Sequence, residues 1–370
     1  MTVGLKAAGF QVVAGVELEP HAFATYKTNH PEVHAYRQDI RTVDGASLLG
    51  HADDGVDLLA GCPPCQGFSS LTAKWKRSDP RNALVAEMTR LIGEVRPRVV
   101  MMENVPGLAQ KGKRRLNALV RALEDLGYRV TFDVLQVADY GVPQRRRRLV
   151  LLAGLGFEIP LPSATHSRTG AEGLPKWRSL RDAIGAQHPR PITLAEAQKK
   201  GGPARFDWHV TRTMSPQNVR RMAHAKPGRV WSSIPKRLRP ACHQDAVRKI
   251  GFRSAYGRLK WDEPSVTITG GCTTFSKGRF GHPTQPRTIS VREAALIQTF
   301  PPSYVFDTPF IDYACEMIGN ALPCTFAEVV ARQCLDALES HQAASSRRTP
   351  KPTSARRPAR SPSHRSRSHS

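Results

Sequence analysis

From residue 10 to about 153, short apolar runs alternate with amphipathic stretches, and that alternation restricts the fold more than any other feature of the 370 residues. FQVVAGVEL reads as a strand and HAFATYKTNH as a helix, while VHAYRQDI and GVDLLAG read as two further strands. In ALVAEMTRLIGEV the residues Leu84, Val85, Met88, Leu91, Ile92 and Val95 share one helical face, and RVVMMENV after it reads as a buried strand. A second helix, RRLNALVRALEDLG, leads to RVTFDVLQV and RRLVLLAGL, two strands whose short connection suits an antiparallel edge. Alternation of this kind builds an α/β fold around a parallel sheet, with chemistry at the carboxyl ends of the strands.

Residues from about 155 to 300 lose the regularity as proline, glycine and arginine rise. Within them, 211–260 carry thirteen Lys or Arg against one acid, Asp245, a pattern that fits a solvated loop-rich face or a nucleic-acid cradle. SVREAALIQTF and PCTFAEVVARQCLDALESH restore helical order, and 341–370, with eight basic residues and no acid, is expected to be a disordered basic tail. The whole chain has a formal charge of +24 and a pI near 10.4, which points to a polyanionic partner. No apolar run is long enough for a membrane-spanning helix and the N-terminus lacks the pattern of a signal peptide, so a cytoplasmic, nucleoid-associated protein is expected. The seven cysteines are odd in number and scattered, as in reduced intracellular chains.

The segment 59–70, LAGCPPCQGFSS, follows an apolar strand, so Cys65 falls in a loop at a strand's carboxyl end. A zinc half-site would need a second pair at ribbon or finger spacing, which Cys242, His243 and Cys272 do not offer. A thioredoxin-like pair would want the motif opening a helix in a much smaller fold. Two buried inert thiols fit poorly with the Gln-Gly-Phe-Ser that follows, and a nucleophile is the reading that remains.

At these residues the chain resembles the DNA (cytosine-5)-methyltransferase family of bacterial type. Pro64-Cys65-Gln66 matches the family's PCQ loop, Glu103-Asn104-Val105 its ENV motif, and Gln144 to Arg148 its QxRxR pattern. RTISVREAALIQTFP (287–301) resembles the helix supporting the recognition domain, and IGNALP (318–323) the closing motif. The matches stand in the family's order and cover the chain to about residue 340. The resemblance implies a Rossmann-like S-adenosylmethionine-dependent methyltransferase sheet plus a smaller irregular target-recognition domain. The catalytic domain would comprise 1–160 and 305–340, with 161–304 as the recognition domain. MTVGLKAAGF resembles the helix that follows the family's first strand and FxGxG-type turn, so that strand and turn are expected to be missing here, through a misassigned start or a truncated gene product.

The resemblance gives each residue type a chemical task. Cytosine C5 is a poor nucleophile until a thiolate adds at C6, and Cys65 would be that thiolate. Addition is eased by a buried carboxylic acid at N3, for which Glu103 is the candidate, while Arg146 and Arg148 would orient the base and neutralise charge. C5 is out of reach in a stacked duplex, so the base must be flipped out, at about a few kcal/mol that backbone contacts offset. Gln66, Ser69, Gln144, Arg258 and Arg279 are the expected DNA contacts. S-adenosylmethionine would be held by Glu17 (or Glu19), Leu18, Asp39, Ile40, Pro64, Leu84, Asn320 and Ala321, with no metal. The expected partners are double-stranded DNA and a cognate restriction endonuclease, with the protein a monomer. Two other outcomes stay open: an inactive DNA-binding remnant of the family, and a tRNA cytosine-5 methyltransferase.

Overall fold

Six strands within the first 155 residues form two sheets rather than one. They belong to a computed structural model that describes residues 1–52, 54–64, 84–185, 189–244 and 254–348. The order begins α1 (Thr2–Ala7), β1 (Ala14–Val16), α2 (Pro20–Asn29), β2 (His34–Tyr36), α3 (Gly45–Leu49), β3 (Leu58–Gly61), α4 (Leu84–Val95) and β4 (Val99–Asn104). It continues with α5 (Gly107–Gln110), α6 (Lys113–Asp125), β5 (Tyr128–Gln136), β6 (Arg147–Leu155), α7 (Leu180–Ile184), β7 (Ile192–Thr193), α8 (Leu194–Lys199) and β8 (Val210–Thr211). The helices α9 (Pro216–His224), α10 (Val291–Ile297), α11 (Ile311–Asn320) and α12 (Cys324–Arg348) complete it.

β1 and β2 pair in parallel, and the larger sheet runs β3-β4-β6-β5. β3 is parallel to β4, whereas β6 is antiparallel to both β4 and β5. The antiparallel pair foreseen at the edge is therefore present with β5 outermost, and β6 lies inside the sheet. Its composition fits that place, since Leu149, Val150, Leu151, Leu152 and Ala153 are all buried. β4 is likewise buried along its whole length. One edge of β1 and one edge of β3 have no ladder partner among the described residues.

Helix α4 forms because its apolar residues recur at helical spacing: Val85, Met88, Leu91, Ile92 and Val95 are buried in one row. Arg90 on its other face pairs with Glu87 and Glu94 at 2.8 Å and donates to the carbonyls of Ile40 and Val43, which ties α4 to the chain leaving β2. The two faces of the larger sheet belong to separate apolar clusters. One joins β4 and β6 to α1 and α12, and the other joins them to α4 and α6.

A third cluster draws on Trp208, Ile268, Phe280, Ile289, Ala294, Phe306 and Ile318, so its packing continues across residue 304. Trp208 Nε1 donates to the Phe306 carbonyl at 2.9 Å within it. The C-terminal segment departs from expectation. α12 runs on to Arg348, through the first residues of the segment expected to be disordered from 341. Gln342, Ala343 and Ala344 favour helix, and the His341 ring stacks on Phe157 at 4.4 Å. Residues 349–370 lie outside the described chain.

Candidate active site

The parallel register of β3 and β4 sets Gly61 opposite Met102, which brings the next residues, Cys62 and Glu103, side by side at the strand ends. Asn104 clamps the same junction: its Nδ2 donates to the Pro63 carbonyl at 2.9 Å while its Oδ1 accepts from the Val105 amide. The chain leaving β3 is thereby fixed to the end of β4. Cys65, Gln66 and Ser69 lie beyond it, outside the described residues, so the expected nucleophile enters by its sequence position three residues after Cys62.

Glu103 is buried and paired with Arg148, Nε to Oε1 at 2.6 Å. The two strands are adjacent and antiparallel, which puts Arg148 at the beginning of β6 beside the end of β4. Burial lowers the Arg148 pKa from its ordinary value, and the Glu103 carboxylate works against that fall. Cys62 as a residue is exposed. Its thiol nevertheless faces the pair: desolvation first, then the Glu103 carboxylate, push it well above the usual thiol range. A thiol so raised is inert at neutral pH, in contrast to the role expected of Cys65.

Arg146 has a different setting. Its guanidinium donates to the carbonyls of Ile268 at 2.8 Å, Gly319 at 3.0 Å and Ala321 at 3.3 Å, while its Nε is buried with no partner among the described residues. Burial and the neighbouring Arg148 bring it down to about 9. It holds the closing IGNALP segment against the loop at 268. Gln144 lies beside it, fully buried, donating to Gln298 Oε1 at 2.6 Å and accepting from the Ile268 amide at 2.9 Å. Gln298 passes the link on to the Ile318 carbonyl at 2.6 Å. The expectation of a DNA contact is thus corrected for Gln144, because both ends of its amide are engaged inside the protein.

Arg258 requires the same correction. It is buried and its guanidinium serves four carbonyls, those of Met222, His282, Pro283 and Gln285, so it staples the end of α9 to the loop at 282–285. Arg279 is partly buried and donates to the Gly228 carbonyl at 2.6 Å. Free cations of the lobe lie elsewhere: Lys236 and Arg237 are exposed on a short 3-10 turn, beside Arg239, which covers the Trp231 ring at 5.3 Å.

At the end of β1, Glu17 Oε1 accepts from the amides of Leu18 and Glu19, and Leu18 exposes 59% of its surface. Glu19, the alternative carboxylate, caps α2 by accepting from the Ala22 amide at 2.7 Å. Asp39 stands at the end of β2 and its carboxyl is held at about 2 by hydrogen bonds from Arg41. The Ile40 carbonyl is bound by Arg90, Leu84 opens α4, Pro64 closes the segment after β3, and Asn320 and Ala321 end α11. All lie after strand ends or at helix termini. The roles of Cys62, Asn104 and Gln298 were not read from the sequence. The signal for Asn104 was its place in ENV; Gln298 shows only as a polar residue between the apolar ALI end of α10 and Thr299.

A buried carboxylate–guanidinium pair at the carboxyl end of a strand stands where α/β folds place their sites. The chain belongs to the family of C-5 cytosine-specific DNA methylases, whose description matches residues 1–336. It is 36% identical to the type II methylase M.HgiDII of Herpetosiphon aurantiacus over 344 residues, spanning 92% of this chain and 93% of that one. With the type II methyltransferase M1.HphI of Haemophilus parahaemolyticus it shares 34% identity over 341 residues, 90% of this chain and 83% of the other. The fold is similar to that of S. pombe Dnmt2 methyltransferase, with a TM-score of 0.59 at 18% identity, covering 92% of this chain and 96% of that one. It is a DNA cytosine-5 methyltransferase of restriction-modification type, and no described helix is long and apolar enough to cross a membrane.

Proposed function

We propose that the chain methylates C5 of a cytosine in a specific duplex DNA site, through a covalent bond between Cys65 and C6 of the flipped-out base, with S-adenosylmethionine as donor. The buried Glu103–Arg148 pair, placed beside the residues that lead to Cys65, carries the reading. The residues at the other strand ends fit the donor. Leu18 offers an unpartnered apolar face beside Glu17, and one Glu17 oxygen has no partner among the described residues. Glu17, Leu18, Asp39, Ile40, Pro64, Leu84, Asn320 and Ala321 would hold it.

The Cys65 thiolate adds to C6 while Glu103 holds a proton at N3, which leaves the ring as an enamine nucleophilic at C5. S-adenosylmethionine, when bound, supplies the methyl group. Arg148, anchored by Glu103 and by the Arg147 carbonyl at 2.8 Å, sets positive charge beside the base. Loss of the C5 proton to a base then breaks the C6–sulfur bond and frees Cys65. Arg146 acts indirectly, by holding the closing segment. The protein works as a monomer alongside a cognate restriction endonuclease, in the cytoplasm at the nucleoid.

The test is methyl transfer from tritiated S-adenosylmethionine to mixed-sequence duplex DNA. Label recovered as 5-methylcytosine and abolished by Cys65→Ala is the expected result; label absent from the wild type overturns the reading. The edges of β1 and β3 that have no ladder partner among the described residues favour one second reading, a chain that binds DNA without holding the donor. Calorimetric titration with S-adenosylmethionine separates the two, since only the enzyme binds it.

A further inference from the structure

The segment that leaves the Glu103 strand carries Lys111, Lys113 and Arg114, all exposed. None of the three makes an ion pair or side-chain hydrogen bond among the described residues. They stand where α6 begins, and that helix has no acid in its first turn, no base in its last turn and no side-chain cap. Its acids, Glu124 and Asp125, come at the far end. The charge order is the reverse of what the helix dipole favours. Helices α7, α8 and α10 each have an acid in the first turn that closes a capping box, Asp182, Glu196 and Glu293. Lys113 and Arg114 therefore sit where they oppose folding slightly, Lys111 just before them ends α5 as its C-cap, and no described side chain pairs with any of the three.

Topology shows what they face. α6 follows β4 through 105–112, so its first residues lie at the end of the sheet that holds Glu103. A second element brings another cation to that end. Asn104 is opposite Leu149 in the antiparallel β4–β6 pair, so exposed Arg147, the first residue of β6, also stands there. Arg147 is not among the residues that hold Glu103 or the closing segment. The recognition lobe meets the sheet on the neighbouring residues, with the Arg145 amide donating to Ser265 at 2.8 Å and the Ser265 amide to Pro143 at 2.9 Å.

We infer that Lys111, Lys113, Arg114 and Arg147 form a second DNA-backbone contact surface on the catalytic sheet, separate from the recognition lobe. It neutralises phosphates flanking the target and contributes affinity without sequence preference. The inference rests on the reading that duplex DNA lies over the Glu103 end.

The experiment compares the full chain with K111Q/K113Q/R114Q and, separately, R147Q, on a mixed-sequence duplex of about 40 base pairs across a salt series. For each phosphate that a variant no longer neutralises, the slope of log affinity against log salt becomes shallower by about 0.9. The methylated site and the turnover at saturating DNA stay as in the wild type. A K113Q/R114Q variant, which leaves the Lys111 cap of α5 in place, also melts about 1–3 °C higher, because the two cations that oppose the α6 dipole are gone. Weaker, less salt-sensitive binding in a more stable protein is a combination that an ordinary solvated face does not produce. An unchanged slope, or a lower melting temperature, overturns the inference. If the wild type itself shows no salt-dependent DNA binding, the functional reading fails first, and that result is distinct from either.

Discussion

The Glu103 carboxylate and the Arg148 guanidinium meet at 2.6 Å between neighbouring antiparallel strands, with only 8% and 14% of their side chains exposed. A buried pair of this kind adds little net stability, but removing one partner leaves the other charged and desolvated, at about 3–5 kcal/mol. Arg148→Met is therefore expected to destabilise the protein by about 3 kcal/mol, and E103Q/R148M to recover much of that loss. Urea denaturation of the single and double variants measures the coupling. Methyl transfer should fall by at least about 100-fold in every variant lacking Glu103, including the stable double one, because general acid catalysis is lost. A stable and fully active E103Q/R148M protein would remove Glu103 from the chemistry.

Gly319 shows what the closing IGNALP segment requires. A Cβ at this position would fall 2.2 Å from the Gly270 amide nitrogen and 2.3 Å from the Thr269 carbonyl carbon, both backbone atoms that cannot swing aside. The Gly319 carbonyl also accepts from both terminal nitrogens of Arg146, at 3.0 Å. Gly319→Ala must push α11 away from the loop at 269–270 and open the cage around Arg146, a buried guanidinium. A destabilisation of at least about 2 kcal/mol is expected, together with loss of activity. A thermal melt of G319A within a degree of the wild type would show that the close approach is dispensable.

How far the sequence carried the reading follows from the range of each interaction. Helix α4 and strand β4 were legible because apolar spacing is local and both are buried as the pattern demands. The adjacency of Glu103 and Arg148 depends on a strand order in which β6 inserts between β4 and β5, and the order of strands leaves no periodic trace. Arginines were the least legible. Arg258 and Arg279 were expected to contact DNA, yet donors of both meet backbone carbonyls, Arg258 those of Met222, His282, Pro283 and Gln285 and Arg279 that of Gly228. Composition reports charge, while only packing decides which cations serve the fold and which face a ligand.

Two buried histidines set an acid limit on stability. His282 accepts at Nδ1 from the Gln285 amide at 3.0 Å, and His30 accepts at Nδ1 from the Lys6 ammonium at 2.9 Å. A proton at either nitrogen would turn donor against donor. Desolvation leads in lowering both pKa values to about 4, followed by Arg287 for His282 and Lys6 for His30. Since both native values lie below the unfolded one, near 6.5, the unfolded chain binds more protons between the two. Their stabilisation is complete above pH 6.5 and is lost as the pH falls toward 4, at about 3 kcal/mol for each ring. The urea midpoint should drop between pH 7 and pH 5, and His282→Gln should flatten part of that dependence. A midpoint independent of pH over this window would mean that the rings stay accessible to protons.

The edges of β1 and β3, unpaired among the described residues, make a prediction about dynamics. In a strand, successive residues direct their amides to opposite edges, so a strand paired on one side protects only alternate amides. β4 lies between β3 and β6, and β6 between β4 and β5, so every amide along those two has a ladder within reach. Among the described residues β3 has β4 on one side alone, although both its faces pack on core: Leu58 and Ala60 on one cluster, Leu59 on the other. Packing without pairing leaves backbone polar groups beside apolar surface, which also makes the edge receptive to an added strand. Native-state hydrogen exchange should therefore find the amides of Met101, Met102, Val150 and Leu151 among the slowest in the chain. Along β1 and β3, protection should alternate from residue to residue, with the outward amides exchanging orders of magnitude faster. An added segment that pairs at these edges would erase the alternation and raise the melting temperature together. Uniformly slow exchange along β3 in the 370-residue chain would show that the edge is already covered.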